Sequence, residues 1–401
     1  MSMVANCLGR TRVKLATRKH CIGCMACVDI CPKGAISQYL AEDGHSYVKV
    51  SDDKCVRCKK CEKLCASIHQ GYGNNDLELS VPFAAWAINT KLRQAGTSGG
   101  IFAAIASYVI DRGGIVIGAK FDGKNCRHCA ISKKSEINSL QGSKYVRSDT
   151  EGIFRLISSY ISSKLVLFSG VGCQASAVIS YFKNHPKRNN LVVIDLVCGG
   201  VPSSLLMTSF FLLHPEVERI KSFRKKERYC LIGEIASKEV ELGDRPLPLC
   251  GFQAGATNRF SCMNCRFAYA HRKSDLTIGD LWGDKEFVSE HSGGVSLAIC
   301  HTDVGIALLN KSEVVLNSLS WSQVLPYNCR IMYGKKYVGL MRRCLPILHR
   351  HLNPATFSSL YSFNFKNLPM IFALLAKYTS YRSAEIKARG IREAYKLTEG
   401  L

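Results

Sequence analysis

The chain has 401 residues, 47% of them hydrophobic and 21% charged, the make-up of an ordinary globular protein with two or three domains. Fifty-four lysines and arginines against 31 aspartates and glutamates leave a net charge of +23; these cations are scattered, not gathered into a basic block with interleaved aromatics, so no nucleic acid is expected. A transmembrane segment is excluded too, because no apolar run reaches the ~18 residues that a spanning helix needs.

Met1 to His20 is basic but lacks an apolar h-region, so export is not expected. Twenty cysteines then point to a reducing compartment, the cytoplasm, where thiols serve metals and not cross-links. The first eight follow at once. Cys21, Cys24, Cys27 and Cys31-Pro32, then Cys55, Cys58, Cys61 and Cys65, each keep the C-x2-C-x2-C-x3-C spacing of bacterial ferredoxins, in which eight thiolates hold two 4Fe-4S clusters. A tight turn lets three sulfurs converge, while the fourth cysteine starts a short helix that carries it to the other cluster. One ligand set is therefore expected to be Cys21, Cys24, Cys27 and Cys65, and the other Cys55, Cys58, Cys61 and Cys31. Ala66 stands where a second proline would complete the pattern, which weakens that turn without removing a ligand. Zinc ribbons use four ligands in two C-x2-C pairs, and these runs overshoot that count.

Tyr47 to Val50 reads as a strand between the two halves, and Gly71 to Asn75 as a turn-rich linker. Val81 to Asn89 is the next expected strand. Thr97-Ser98-Gly99-Gly100 then opens a helix over Ile101 to Asp111, and Ile115 to Gly118 forms a further strand. Serine and glycine at a helix start leave backbone N–H groups open to phosphate, so these four residues are candidate cofactor contacts. Gly142-Ser143-Lys144-Tyr145 is a second candidate, joining a close-approach glycine, a hydroxyl, a cation and an aromatic.

From Lys164 the pattern becomes α/β. Strand Leu165 to Phe168, a glycine turn over Ser169 to Gly172 and a helix from Cys173 to Phe182 are followed by strand Leu191 to Ile194, Cys198-Gly199-Gly200 and a helix from Ser203 to Leu213. Two strand–turn–helix units imply parallel neighbours with both turns at the carboxyl edge of the sheet, where such proteins bind ligands. Cys173 and Cys198 share that edge, and Cys262-Met-Asn-Cys265 supplies another close pair before strand Asp275 to Asp280. These four thiols form a third 4Fe-4S site by preference, with zinc as the runner-up and unligated buried thiols as the plain alternative. Cys126-Arg-His128-Cys129 reads as an incidental pair in a polar loop. Cys7, Cys230, Cys250, Cys300, Cys329 and Cys344 keep no spacing. The runs Arg224-Lys225-Lys226 and Lys335-Lys336 read as solvated faces. After a strand ending near Ile299 the chain turns basic and helical, with amphipathic helices over Leu368 to Lys377 and Ala384 to Tyr395.

Several of these motifs together resemble one known family, the coenzyme F420 hydrogenase/dehydrogenase beta subunits. Thr97 to Gly100 with Gly113 to Ala119, and Gly142 to Ser148, are similar to its N-terminal domain. Gly172-Cys173-Gln174, Asp195 to Pro202, Cys262 to Ala268, Arg272, Asp275 and Gly279 to Gly283 are similar to its C-terminal one. The chain departs from the family pattern in two cysteine turns. Gly170-Val-Gly-Cys173 stands where Gly-Thr-Pro-Cys is common, and Cys198-Gly199-Gly200 where Cys-His-Gly is common.

The resemblance implies an α+β and α/β fold. A two-cluster ferredoxin-like module over 1–75 precedes a beta-subunit N-terminal domain over 76–160, a C-terminal domain over 161–330 and a helical extension over 331–401. It implies FAD as well, held between the α/β segments, and an oxidoreductase passing electrons between a small organic hydride carrier, F420 or another, and the clusters. Basic residues Arg57, Lys59, Lys60 and Lys63 would steer an acidic partner, such as a ferredoxin or another oxidoreductase subunit, toward the module. The alternative is a non-catalytic relay subunit of a larger complex whose flavin site has decayed, which the two altered turns favour. A redox-sensing nucleic-acid binder is motivated by charge alone.

Overall fold

The computed structural model describes residues 13–69, 71–226, 228–243, 246–333, 339–362 and 370–399. In the N-terminal module, helices Ala26–Asp29 and Lys60–Lys63 flank an antiparallel hairpin of β1 (Ile36–Leu40) and β2 (Ser46–Val50). The expected strand at Tyr47 to Val50 is β2. Gly71 to Asn75 is not a loose linker: β3 (Gly73–Asn74) pairs antiparallel with His271–Arg272. Beside it the buried Tyr72 hydroxyl donates to Asp195 at 2.5 Å. A linker that buries an aromatic and pairs its backbone belongs to the body it leads into.

That body is built on one nine-stranded sheet. Its first strands are β4 (Val81–Ala87), β5 (Ile115–Phe121), β6 (Cys126–Ile131), β7 (Ser148–Asp149), β8 (Val166–Val171) and β9 (Leu191–Leu196). A separate three-stranded sheet of β10 (Arg219–Arg224), β11 (Tyr229–Ile235) and β12 (Lys238–Glu241) follows, and the short β13 (His271–Arg272) is the partner of β3. Then β14 (Leu276–Asp280), β15 (Ser296–Cys300) and β16 (Val314–Ser318) return to the large sheet, whose order is β16-β4-β15-β14-β9-β8-β5-β6-β7. β5, β8, β9 and β14 run parallel, as the repeated strand–helix pattern requires. β15 is antiparallel to both β14 and β4, so β4 runs the same way as the parallel set. Strands from the segments 76–160 and 161–330 thus share a single sheet.

Alternation of side chains explains why the central strands are apolar throughout. Ile115, Ile117, Val166, Phe168, Leu191 and Val193 face one way, against helices Ile153–Ile161 and Gly172–Phe182. Val116, Leu167, Val192 and Ile194 face the other, against helices Ile101–Asp111 and Asp303–Lys311. The first of these cores also contains Ala26, Leu64 and Ala66 from the module, with Tyr72 from the segment that follows it. Module and sheet are packed together as one core.

Some expectations are corrected. The glycine turn at Ser169 to Gly172 is absent, because β8 continues to Val171 and the helix begins at Gly172. The Gln174 side chain makes that abrupt start possible by accepting the Val171 N–H at 3.1 Å. β4 stops at Ala87 because Asn89 caps a short helix, Thr90–Ala95, accepting from the Lys91 and Leu92 amides. Cys126 to Cys129 lies on β6, not in a polar loop. Arg224 is 6% exposed and ion-paired with Asp280 at 2.5 Å, so its run is not simply a solvated face. Lys335-Lys336 and Cys7 lie outside the described residues. At the C-terminus one helix, Met370–Thr398, spans most of the two expected ones, and Leu368 lies outside the described residues. No helix among the described residues is long and apolar enough to cross a membrane.

Candidate functional site

Both cysteine runs of the module adopt the same backbone turn. Gly23 and Met25 have φ of 69° and 58°, and Arg57 and Lys59, at the matching places in the second run, have 54° and 58°. Left-handed backbone costs a non-glycine residue about 1 kcal/mol or more, so three such residues in two short loops mark a conformation held for a purpose. Each loop turns sharply before a four-residue helix, so the thiols gather on its inner side.

The thiols fall into sets. Burial pushes the Cys24 thiol up to about 12, with Cys65 and Cys21 adding to the shift. Cys27 is raised further still by burial, then by Cys24, Cys21 and Cys65. Cys21, Cys24, Cys27 and Cys65 are therefore within electrostatic reach of one another, and Cys61 also acts on Cys27. Cys31, Cys55, Cys58 and Cys61 line a second, smaller hollow with Pro32, Lys59 and Lys60. There Cys58 is exposed, and burial raises Cys61 to about 11. The third set joins distant parts of the chain. Cys173 is raised well above the ordinary thiol range by burial, then by Cys198, Cys262, Cys265 and Cys24. Cys262 is pushed up to about 12 by burial, then by Cys198 and Cys265. Cys24 of the module is thus within electrostatic reach of Cys173.

These positions fit iron–sulfur clusters. Thiols raised this far stay protonated and inert at neutral pH unless a metal deprotonates them. Among the described residues no group of three or more His, Cys, Asp or Glu side chains is placed to hold a single metal ion. The reason to prefer cubane clusters over zinc is the C-x2-C-x2-C-x3-C spacing of the first eight cysteines. A cation stands beside Cys21 as well: Arg259 is 1% exposed and, among the described residues, its Nη1 has no hydrogen-bond partner. Cys126 and Cys129 are three residues apart on a strand, so they point to opposite faces and form no pair.

A cavity of about 670 Å³ lies at the carboxyl edge of the sheet, within the size range of small-molecule sites. It is lined by Thr97, Ser98 and Gly100 after β4, by Gly142, Ser143, Lys144 and Tyr145, and by Cys173 and Cys198. The two candidate cofactor stretches therefore meet in one space beside the third thiol set. Gly99 is not in the lining; a Cβ there would collide with the Ala85 carbonyl, so it is glycine for close packing. Gly100, with φ of 77°, starts the helix Ile101–Asp111 with no side-chain cap, and Gly142, with φ of 84°, has open space where a Cβ would stand. Helix amides without a cap and an open glycine are features a phosphate-bearing cofactor uses.

Other candidate groups are already engaged. The Thr97 and Ser143 hydroxyls share a hydrogen bond of 3.0 Å, and Ser98 donates to the Val295 carbonyl at 2.9 Å. The Lys144 ammonium donates to the carbonyls of Leu140, Gln141 and Gly142, and burial lowers its pKa to about 8. Tyr145 stacks on Phe252 with ring centroids 4.0 Å apart. Beside Gly199, the place a Cβ would take lies 2.8 Å from Phe252 and 2.9 Å from the Arg330 guanidinium. Sequence reasoning missed Arg259, Phe252, Arg330 and His128, all of which line the cavity. His128 could have been found from its alternation with Cys126 on a strand; the other three carry no local signal.

Two family models match the chain. Residues 163–317 match the C terminus of the coenzyme F420 hydrogenase/dehydrogenase beta subunit, and residues 20–67 match a 4Fe-4S dicluster domain. An uncharacterized ferredoxin of Methanocaldococcus jannaschii is 37% identical over 51 residues, a match spanning 65% of that protein and 13% of this chain. A chain of the F420-reducing [NiFe] hydrogenase complex from Methanosarcina barkeri is similar at a TM-score of 0.45 and 16% identity, covering 69% of this chain and 90% of that one. Residues 163–317 therefore carry a domain similar to the C terminus of the coenzyme F420 hydrogenase/dehydrogenase beta subunits, and residues 20–67 carry a 4Fe-4S dicluster domain.

Proposed function

We propose that the chain is a cytoplasmic oxidoreductase in which three 4Fe-4S clusters connect a protein partner at one end to FAD and a small organic electron carrier in the cavity at the other. Cys21, Cys24, Cys27 and Cys65 would hold the first cluster, Cys31, Cys55, Cys58 and Cys61 the second, and Cys173, Cys198, Cys262 and Cys265 the third. The observation that carries the reading is the double membership of Cys173 and Cys198. They line the cavity, and Cys173 also lies within electrostatic reach of Cys24 in the module. Bound FAD would supply exchange between two-electron organic chemistry and one-electron iron–sulfur chemistry. The chain's own part is positional. Gly100, Ile101 and Phe102, at the start of a helix without a side-chain cap, line the cavity, Lys144 fixes the loop that carries Gly142, and Phe252 and Tyr229 form part of its wall.

At the far end, Arg57, Lys59, Lys60 and Lys63 are exposed around Cys58. They suit an acidic ferredoxin or a partner oxidoreductase subunit. F420 is one candidate carrier for the cavity. Protein purified without oxygen should contain about twelve irons per chain, four for each cluster, with stoichiometric flavin. About eight irons would remove the third cluster.

A second reading, a relay subunit without flavin, is favoured by the engagement of Lys144 with its own loop and of Tyr145 with Phe252. Absorbance of the anaerobic protein after the clusters are bleached separates the two, because bound FAD leaves its bands behind.

A further inference from the structure

Arg259 is the residue that no motif accounts for. Its backbone belongs to the third thiol set, since its carbonyl accepts the Cys262 N–H at 2.9 Å at the start of helix Phe260–Met263. Its side chain reaches the first set instead. Nε donates to the Cys21 carbonyl at 2.7 Å, and Nη2 donates to the Ser46 carbonyl at 2.7 Å and lies 3.7 Å from Cys21 Sγ. The guanidinium sits 4.4 Å from the centre of the Tyr47 ring. Gly23 leaves room for it, as a Cβ there would come within 2.9 Å of the guanidinium.

Among the described residues this cation has no carboxylate partner. The side chain is 1% exposed and its Nη1 has no hydrogen-bond partner among them. The nearby carboxylates are committed elsewhere: Asp43 to Arg342 at 2.7 Å and Asp149 to Arg147 at 3.1 Å. A buried charge without a counter-charge is costly, typically by several kcal/mol. The guanidinium touches Cys21 of the first thiol set and acts electrostatically on Cys262 of the third, and a cluster held by four thiolates is an anion that gains one further negative charge on reduction. Net charge and hydrogen bonds to sulfur are what set the potential of such a cluster.

We propose that Arg259 is a positioning residue that tunes the electron path: one buried guanidinium, shared between Cys21 and the Cys262 loop, favours the reduced state of the first and third clusters over that of the second. No proton and no second reactant is involved; each cluster takes up one electron from its donor, and the fixed cation stabilises the added charge. The second set, Cys31, Cys55, Cys58 and Cys61, is not contacted by Arg259 and serves as an internal reference. The proposal rests on the reading that these thiols hold clusters.

The test is an EPR-monitored potentiometric titration of the anaerobic full chain with its native residue, with Arg259→Lys and with Arg259→Met. In Arg259→Met the reduction equilibrium of at least one cluster should fall about tenfold, ~59 mV for a one-electron couple, while one cluster stays where it was. Arg259→Lys keeps the charge but cannot make the fork to the Cys21 and Ser46 carbonyls, so it should stay near the native values. A purely structural role predicts that the lysine variant is displaced as far as the methionine one. That result, or unchanged potentials in both variants at full iron content, overturns the proposal. If Arg259→Met loses iron, the lysine variant decides alone: native potentials support tuning by charge, displaced ones refute it. Native protein without iron would sink the cluster reading itself, a failure distinguishable from this one.

Discussion

The second and third thiol sets make opposite use of the same chemistry. The second is assembled from two nearby runs, opens to solvent at Cys58 and is ringed by Lys59, Lys60 and Lys63. The third is drawn from two strand ends and a distant loop, is partly buried, and borders a cavity. Exposure with like charges suits a macromolecular partner that docks and leaves. Burial beside a walled space suits a small molecule that must be kept from water. The first set is linked to the third, with Cys24 within electrostatic reach of Cys173 and the Cys21 carbonyl accepting from Arg259.

Cys262→Ser is the sharpest way to break this contrast. It should lower iron by about four atoms per chain and leave the signals of the module intact, as read by iron analysis and EPR. Unchanged iron would mean that the third set holds nothing.

Whether the two regions depend on each other is tested at Asp29. Its buried carboxylate accepts the Gly152 and Phe154 amides at 3.0 Å each, capping from the module a helix that begins with glycine and has no cap of its own. Asp29→Ala leaves one buried and one part-buried amide unpaired and should cost ~2–3 kcal/mol, measured by denaturant titration. A loss within experimental scatter would mean that the module contributes little to the body.

A third test concerns the cavity wall. His128 donates from Nε2 to the Ser169 carbonyl at 3.0 Å, and Nδ1 meets the Ser148 hydroxyl at 2.8 Å. Burial lowers its pKa from 6.5 to about 4. The unfolded chain therefore binds a proton that the folded one refuses, so stability falls as pH drops from about 6.5 toward 4. Between pH 7 and pH 5 this histidine should account for ~2 kcal/mol of lost stability. His128→Gln can keep both hydrogen bonds and should show a shallower decline over that range; an identical slope would discount the histidine.

The smallest expected effect lies at the exposed end. Replacing Lys59, Lys60 and Lys63 together by glutamate should slow reduction by an acidic ferredoxin about tenfold at low ionic strength. The two rates should converge as salt is added. Equal rates at low salt would place the docking surface elsewhere.

How much could be read beforehand follows from the distance over which each feature is specified. The dicluster spacing is contained within about fifty residues, and the resulting turns obey it even where Arg57 and Lys59 must take left-handed backbone. Helix Ile101–Asp111 matches its expected bounds because Thr97 to Gly100 and Gly113-Gly114 punctuate both ends. The parallel strands were legible from apolar runs that only two-sided burial explains. Beyond that the pattern fails where partners are remote. β3 pairs with a segment about two hundred residues away, and two residues of glycine-rich chain carry no trace of that partner. Arg224 looked like part of a solvated run until Asp280 and two aromatic rings closed around it. In the cavity, Phe252 and Arg330 fill the space beside Gly199, which sequence reading could treat only as a missing side chain.

The core that Ala26, Leu64, Ala66 and Tyr72 share with Phe168 and Phe182 has one more consequence. Many redox proteins carry their clusters on a tethered arm that swings between donor and acceptor, so turnover is paced by how often the arm arrives. Here the arm is welded. The separations between the thiol sets are set once, at folding, and a longer or shorter connection near residue 75 would not retune a moving arm but tear the shared interior open.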